Sequence, residues 1–524
     1  MILKLQKISL FLIAASLIST TASANNLSIK NVSLGSRDPG TKTLVVKFDV
    51  NWNNSWHNKI NHDAVWLTIR LNNTQDTITD KKLCRISSAG LNPAGSSVGT
   101  DTSLELYVPA DKNGAFLRRS ENGNVKNIST TSAQITIDYS TCGFTDNDQV
   151  YASVYGLEMV YVPEGSFYAG DFNTSNASLN QGSADSNPWH VISENAIPVS
   201  NQSSSGYRYV SASNTGEFAT GASFSIPASF PKGYKSFYVM KYEITEGQWV
   251  EFVNSLGSAA ARANRDITDN NHKNSDAVIA RNTVSCSGSP LSCMTERPYR
   301  AVTFLNWMDL SAFLAWSALR PLTELEFEKI ARGPILPVKG EFSWGTTDII
   351  PGSSISGDED GTETVLDPSA NANYGNTTFN GGDANQGPQF KNGSLRIGIF
   401  ALPSSDRQSS GAAYYGVMDL SGNVKERVVT IGNSSGLAFN GQQGDGSLTV
   451  AAGFEGNANV EHWPGYDATS GRGVTSAIGS GFRGGSWADS SDFLRISDRT
   501  EAALTEVNAT STFGGRGART YDGN

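Results

Sequence analysis

Apolar and polar residues alternate through the first third of the chain. LVVKFDV at 44–50, AVWLTIR at 64–70, SLELYV at 103–108 and AQITIDY at 133–139 each place apolar side chains on one face of a strand. Turn-forming stretches such as Asp38-Pro39-Gly40 and Asp111-Lys112-Asn113-Gly114 separate them, and no helical period intervenes. This spacing predicts an all-β sandwich over residues 25–156. Beyond Gly165 the texture changes. Residues 171–222 are rich in Ser, Asn and Gly and predict a long surface insertion. Helices are predicted where apolar residues recur at helical spacing. One follows the N-cap candidate Thr245, and a second spans 304–318 with Leu305, Met308, Leu310, Phe313, Leu314 and Trp316. A third starts at Thr323, where Thr323 and Glu326 form the capping-box pattern. The rest of the chain is irregular. The fold class is α+β, with a second domain over residues 157–524.

Composition narrows the function. Charged residues are only 17% of the 524, Gly numbers 52, and the formal net charge is −10. Nucleic acid is therefore not an expected partner, because binding it requires basic patches that replace counterions. The five histidines (His57, His62, His190, His272 and His462) are scattered, and a histidine-built zinc or iron centre is not expected. Residues 1–24 read as an export signal: Lys4 and Lys7, an apolar run over 8–18, then the cleavage pattern Ala22-Ser23-Ala24. No later stretch reaches the roughly 18 apolar residues of a membrane-spanning helix, so a secreted or cell-surface protein is expected. Export permits disulfides. Four cysteines allow three connectivities. Chain position favours Cys84–Cys142 within the first domain and Cys286–Cys293 closing a short loop.

Five segments carry a resemblance. MVYVPEGSF at 159–167 and FYVMKYEIT at 237–245 are followed by RPLTELEFEKIARG at 320–333. GVMDLSGNV at 416–424 and FRGGSW at 482–487 complete the order. Residues 157–524 thereby resemble the formylglycine-generating enzyme (sulfatase-modifying factor) family, whose fold is a variant of the C-type lectin fold. The first domain resembles the sandwich that accompanies this fold in some secreted bacterial proteins.

The resemblance implies a chemistry that this chain departs from. Family oxidases convert a substrate cysteine to formylglycine with copper held by two cysteine thiolates, placed three and eight residues beyond the serine of the Gly-Gly-Ser segment. The matching positions here are Asp489 and Leu494, and no cysteine follows Cys293. Soft thiolates suit Cu(I) and carboxylate or aliphatic groups do not, so no copper and no catalytic residue are expected. Two generic motifs add nothing. GSSVG at 95–99 lies in a β-domain rather than at a strand-turn-helix elbow. GSGFRG at 479–484 precedes no dinucleotide-binding helix and reads as a tight core crossing.

Family members also hold structural calcium through carboxylate, Asn and backbone oxygens. GNVKE at 422–426 resembles the family's G-N-x-W-E segment and offers Asn423 and Glu426, with Asn373 a further ligand by position. Lys425 and Arg427 stand where the family has tryptophans. The acidic stretch DEDG at 358–361 is expected to be solvated. What remains is a surface: Trp487, Asp489, Ser490, Ser491, Asp492 and Phe493 mix aromatic and short polar side chains, as adaptable recognition surfaces do. Arg495, Asp498, Arg499, Arg516 and Arg519 are expected in structural ion pairs. Three functions follow: a non-catalytic protein recognising a protein or glycan ligand, a structural subunit assembling with copies of itself, or an oxidase with relocated chemistry.

Overall fold

The computed structural model describes residues 27–523, apart from 173, 183–186 and 201–205. The export signal over 1–24 lies outside the described residues. The chain begins with strands β1 (Ser28–Asp38), β2 (Thr43–His57) and β3 (Asp63–Asn73). It continues through β4 (Leu104–Val108), β5 (Ala115–Arg119), β6 (Gly123–Asp138) and β7 (Val150–Val162). β1, β2, β6 and the short strand Arg85–Ile86 make one sheet. The facing sheet contains β3, β4, β5 and β7. Between the two lie the inward residues of β2 (Leu44, Val46, Phe48, Val50 and Trp52) against Val65, Leu67, Ile69 and Leu71 of β3. This is the predicted sandwich. The disulfide Cys84–Cys142 staples it, and Cys286–Cys293 closes its own short loop, both as chain position favoured.

The second sheet does not stop at the sandwich. β7 pairs with β3 from Val150 to Val160, and with β8 (Phe237–Met240) from Met159 to Val162. β8 then pairs with β13 (Gly517–Thr520), which pairs with β9 (Arg320–Pro321). The boundary placed at residue 156 thus falls inside an unbroken strand. β3 is consequently buried on both faces. Val65, Leu67, Ile69 and Leu71 point into the sandwich, while Ala64 and Trp66 join the core of the second half.

That second core gathers around three capped helices: α1 (Glu246–Asn254), α2 (Trp307–Trp316) and α3 (Glu324–Arg332). Each begins with a capping box, made by Thr245 with Gln248, Asn306 with Asp309, and Thr323 with Glu326. A small sheet of β10 (Lys425–Val429), β11 (Ser480–Arg483) and β12 (Phe513–Gly514) completes the site's framework.

Two expectations are corrected. The 171–222 segment is not a surface loop. It forms short strands at Trp189–Val191 and Ile197–Val199, and buries Leu179, Trp189, Val191, Ile197, Val199 and Tyr209 in the core. Its few large apolar residues, diluted among Ser and Asn, carry the packing that composition concealed. Nor is the acidic stretch wholly solvated, because Glu359 is buried and paired with both Arg281 and Arg300. The G-x-G-x-x-G segment is a tight crossing: a Cβ on Gly481 would lie 1.9 Å from the Ala502 carbonyl oxygen.

Candidate recognition face and the site beneath it

β10 and β11 are antiparallel neighbours, with Glu426 opposite Arg483 and Arg427 opposite Phe482. The chain leaves β11 through Gly484 and Gly485, both at positive φ, and turns at once into the predicted face. Trp487 is buried there, its indole nitrogen donating to the Ser511 carbonyl at 2.8 Å. It is a structural anchor rather than an exposed contact. Ser490 starts the short 3-10 turn Ser491–Leu494, and Leu494 packs against Phe342, Trp344 and Ala372. Ala488, Ser490 and Asp492 are exposed, while Asp489, Ser491 and Phe493 are half-buried. Asp492 pairs with Arg495 at 2.8 Å.

The position matching one family thiolate, Asp489, accepts from the Ser486 hydroxyl and lies 3.3 Å from the Lys425 ammonium. Lys425 is itself buried, with Glu501 oxygens at 2.7 and 2.8 Å and the Phe493 ring centroid at 5.5 Å. The matching position of the other thiolate, Leu494, is fully buried apolar packing. All four cysteines are held in disulfides, which leaves no thiolate on the chain. The residues at this place therefore do not fit a soft metal: a cation is already there, on a side chain, between two carboxylates. Lys425 and Glu501 were not among the predicted site residues. The signal for Lys425 was present, since a lysine standing for a tryptophan beside a buried strand requires an acidic partner.

Deeper in, the three predicted calcium ligands fall close together but face donors. Asn373 gives its amide nitrogen to the Asn423 side-chain oxygen and to the Gly393 carbonyl, both at 3.0 Å. The same Asn423 oxygen also accepts from the Leu395 backbone N–H, and the Asn423 amide donates to Glu243. Both Glu426 oxygens accept from the Arg516 guanidinium, at 2.6 and 2.7 Å. Arg516 spends its other donors on the Met240, Lys241 and Met418 carbonyls. Calcium needs six to eight oxygens. Of this set only the Asn373 side-chain oxygen lacks a partner, so as arranged these residues do not fit the ion. Around Arg516, burial holds Glu243 well above the ordinary carboxylate range, and the nearby charge of Asp419 adds to it. Burial raises Asp419 and Glu426 too.

The expected structural ion pairs form for the arginines. Arg499 meets Glu324 at 2.7 Å, Arg516 meets Glu426, and Arg519 meets Asp111. Asp498 instead caps its own turn, accepting from the Thr500 N–H at 3.0 Å. Arg483 lies between Glu328 and Glu324, and Arg332 between Glu328 and Glu341. These pairs fix α3 against β11, the arrangement from which the Trp487–Phe493 turn projects.

Among curated proteins none matches the chain. The sulfatase-modifying factor enzyme 1-like domain matches residues 151–520, from the start of β7 to the end of β13. The chain belongs to the sulfatase-modifying factor enzyme 1-like family, with a β-sandwich joined to the family domain through one continuous sheet.

Proposed function

We propose that this protein is an exported, non-catalytic member of its family, which uses the turn around Phe493 to recognise a protein or glycan partner. The observation that carries the reading is the Lys425–Asp489–Glu501 triad with Leu494 packed beside it. An ammonium between two carboxylates neutralises the place where the family holds copper and leaves no soft donor to rebuild it. The same triad stiffens the turn, because Lys425 ties the strand β10 to both Asp489 and Glu501. Rigid support under a short polar and aromatic edge lowers the ordering cost of binding. Export is supported by the leading sequence pattern and by two disulfides. No helix of the described residues is long and apolar enough to cross a membrane.

The reading is tested by screening the mature chain on glycan and peptide arrays beside Phe493→Ala and Asp492→Lys. Binding that weakens in both variants while their thermal unfolding stays that of the parent is the expected result. Hits that neither variant affects would place recognition elsewhere on the molecule.

A further inference from the structure

A cleft of about 940 Å³ lies away from the Phe493 turn, where the sandwich meets the second half. Two donors in its lining have no protein acceptor: the Trp316 indole N–H and the Arg70 Nε–H. Both side chains are more than nine-tenths buried. Arg70 lies over the Trp316 ring, 4.5 Å from its centroid, and its terminal nitrogens reach the backbone carbonyls of Lys81, Trp316 and Gly446. It meets no carboxylate. That sets it apart from Arg499, Arg483, Arg516 and Arg519, each of which the fold pairs with Glu or Asp. A buried guanidinium hydrogen-bonded only to carbonyls is costly: burial pushes its pKa down to about 9, and the charges of Tyr155 and Asp80 offset that only in part.

The rest of the lining states what would complete it. Leu83, Leu256 and Leu448 make an apolar wall, and Lys81 and Arg85 add positive charge on the sandwich side. The lining also holds Asp445 and Glu455, and Asp80 beside Lys82 at 3.7 Å. Those acids oppose a highly charged anion and tolerate a single negative charge held toward Arg70. The rim is braced, since the Cys84–Cys142 disulfide sits between Leu83 and Arg85, and Cys142 itself lines the cleft. The cleft has the size that small organic ligands occupy, and its lining mixes the leucines with charged and hydroxyl side chains.

We propose that this cleft binds a monocarboxylate with an apolar body, its acid group set toward Arg70 and Trp316 and its body against the leucine wall. The site is independent of the Phe493 turn, and so of the recognition assigned to that turn.

Calorimetric titration of the full mature chain tests it, with octanoate as the probe and octylammonium and inorganic phosphate as contrasts. Octanoate is expected to bind one to one while the other two give no heat of binding. Trp316→Phe, which keeps the ring and removes the N–H, is expected to weaken octanoate roughly tenfold, the loss of one hydrogen bond to a charged group. Arg70→Gln should abolish binding, but it removes three backbone contacts and could unfold the region. Val450→Glu therefore serves as the second variant. Val450 lies in the lining at 90% exposure, so the new charge repels the ligand without touching the core. Equal affinity for octanoate and octylammonium would overturn the proposal, as would octanoate binding unchanged in both Trp316→Phe and Val450→Glu.

Discussion

Single side chains in this protein are held mainly by charge. Glu324, at the start of α3, accepts from Arg499, Arg483 and Thr430 and from the Ile431 N–H, all in the interior. Removing one member of a buried network leaves its partners unpaired, which costs more than the pair itself contributes. Glu324→Gln is accordingly expected to lower unfolding stability by about 3–5 kcal/mol in denaturant melts; a loss under 1 kcal/mol would mean that solvent reaches these guanidiniums. His272 gives a pH test. Burial alone would lower its pKa, but the Asp309 charge and the hydrogen bonds that the ring donates to Asp309 and Asp269 outweigh it and raise it to about 9. The native state then holds a proton that the unfolded chain releases near pH 6.5. Its contribution is complete below that pH and is lost as pH rises through about 9, on the order of 3 kcal/mol. Thermal unfolding should fall between pH 7 and 9 in the parent and fall less steeply in His272→Gln. At this scale the sequence was partly readable. The missing thiolates stood out in a bare count of cysteines, whereas the capture of Glu426 by Arg516 joins positions 90 residues apart, and no local pattern announces it.

Elements explain which patterns misled. Alternation in β3 predicted a half-buried strand, and the strand is there, yet both its faces are covered. Polar-looking positions face the second half: Thr68 and Arg70 are buried, and Trp66 gives its indole N–H to the Ser317 carbonyl at 2.9 Å. Alternation reports polarity, and a buried arginine satisfied by carbonyls looks the same in sequence as an exposed one. The helices were legible because capping boxes and apolar stripes are local. The 171–222 strands were not, being two or three residues long and fixed by neighbours distant in sequence. Trp66→Ala should cost about 3–5 kcal/mol, since it opens a cavity at the seam between the two cores. Replacing Cys84 and Cys142 together by serine should cost about 2–5 kcal/mol, because the bond closes a separation of 58 residues. A melt that moves for Cys286→Ser with Cys293→Ser but not for the first pair would contradict that ranking.

At the scale of the whole molecule, the sandwich and the family domain share the sheet that runs from β4 through β3 and β7 to β13 and β9, so they are expected to fold as one unit. A fragment beginning at residue 157 would lose most of β7 and all of β3, exposing Trp249 and Phe313 with the rest of that core. It is expected to be insoluble or to bind apolar dyes, and a fragment that melts cooperatively at the parent temperature would show two independent domains. Light scattering of the mature chain separates a monomer from a subunit that assembles with its own copies, and a monomer is expected. Lys425, Asp489, Glu501 and Leu494 occupy the positions around the family's copper place, and we propose that the protein recognises a partner rather than oxidising one. The most direct test incubates the mature chain with Cu(I), oxygen and a cysteine-containing peptide and reads the peptide mass. An unchanged peptide at stoichiometric enzyme is the predicted result, and conversion of its cysteine to formylglycine would contradict the account.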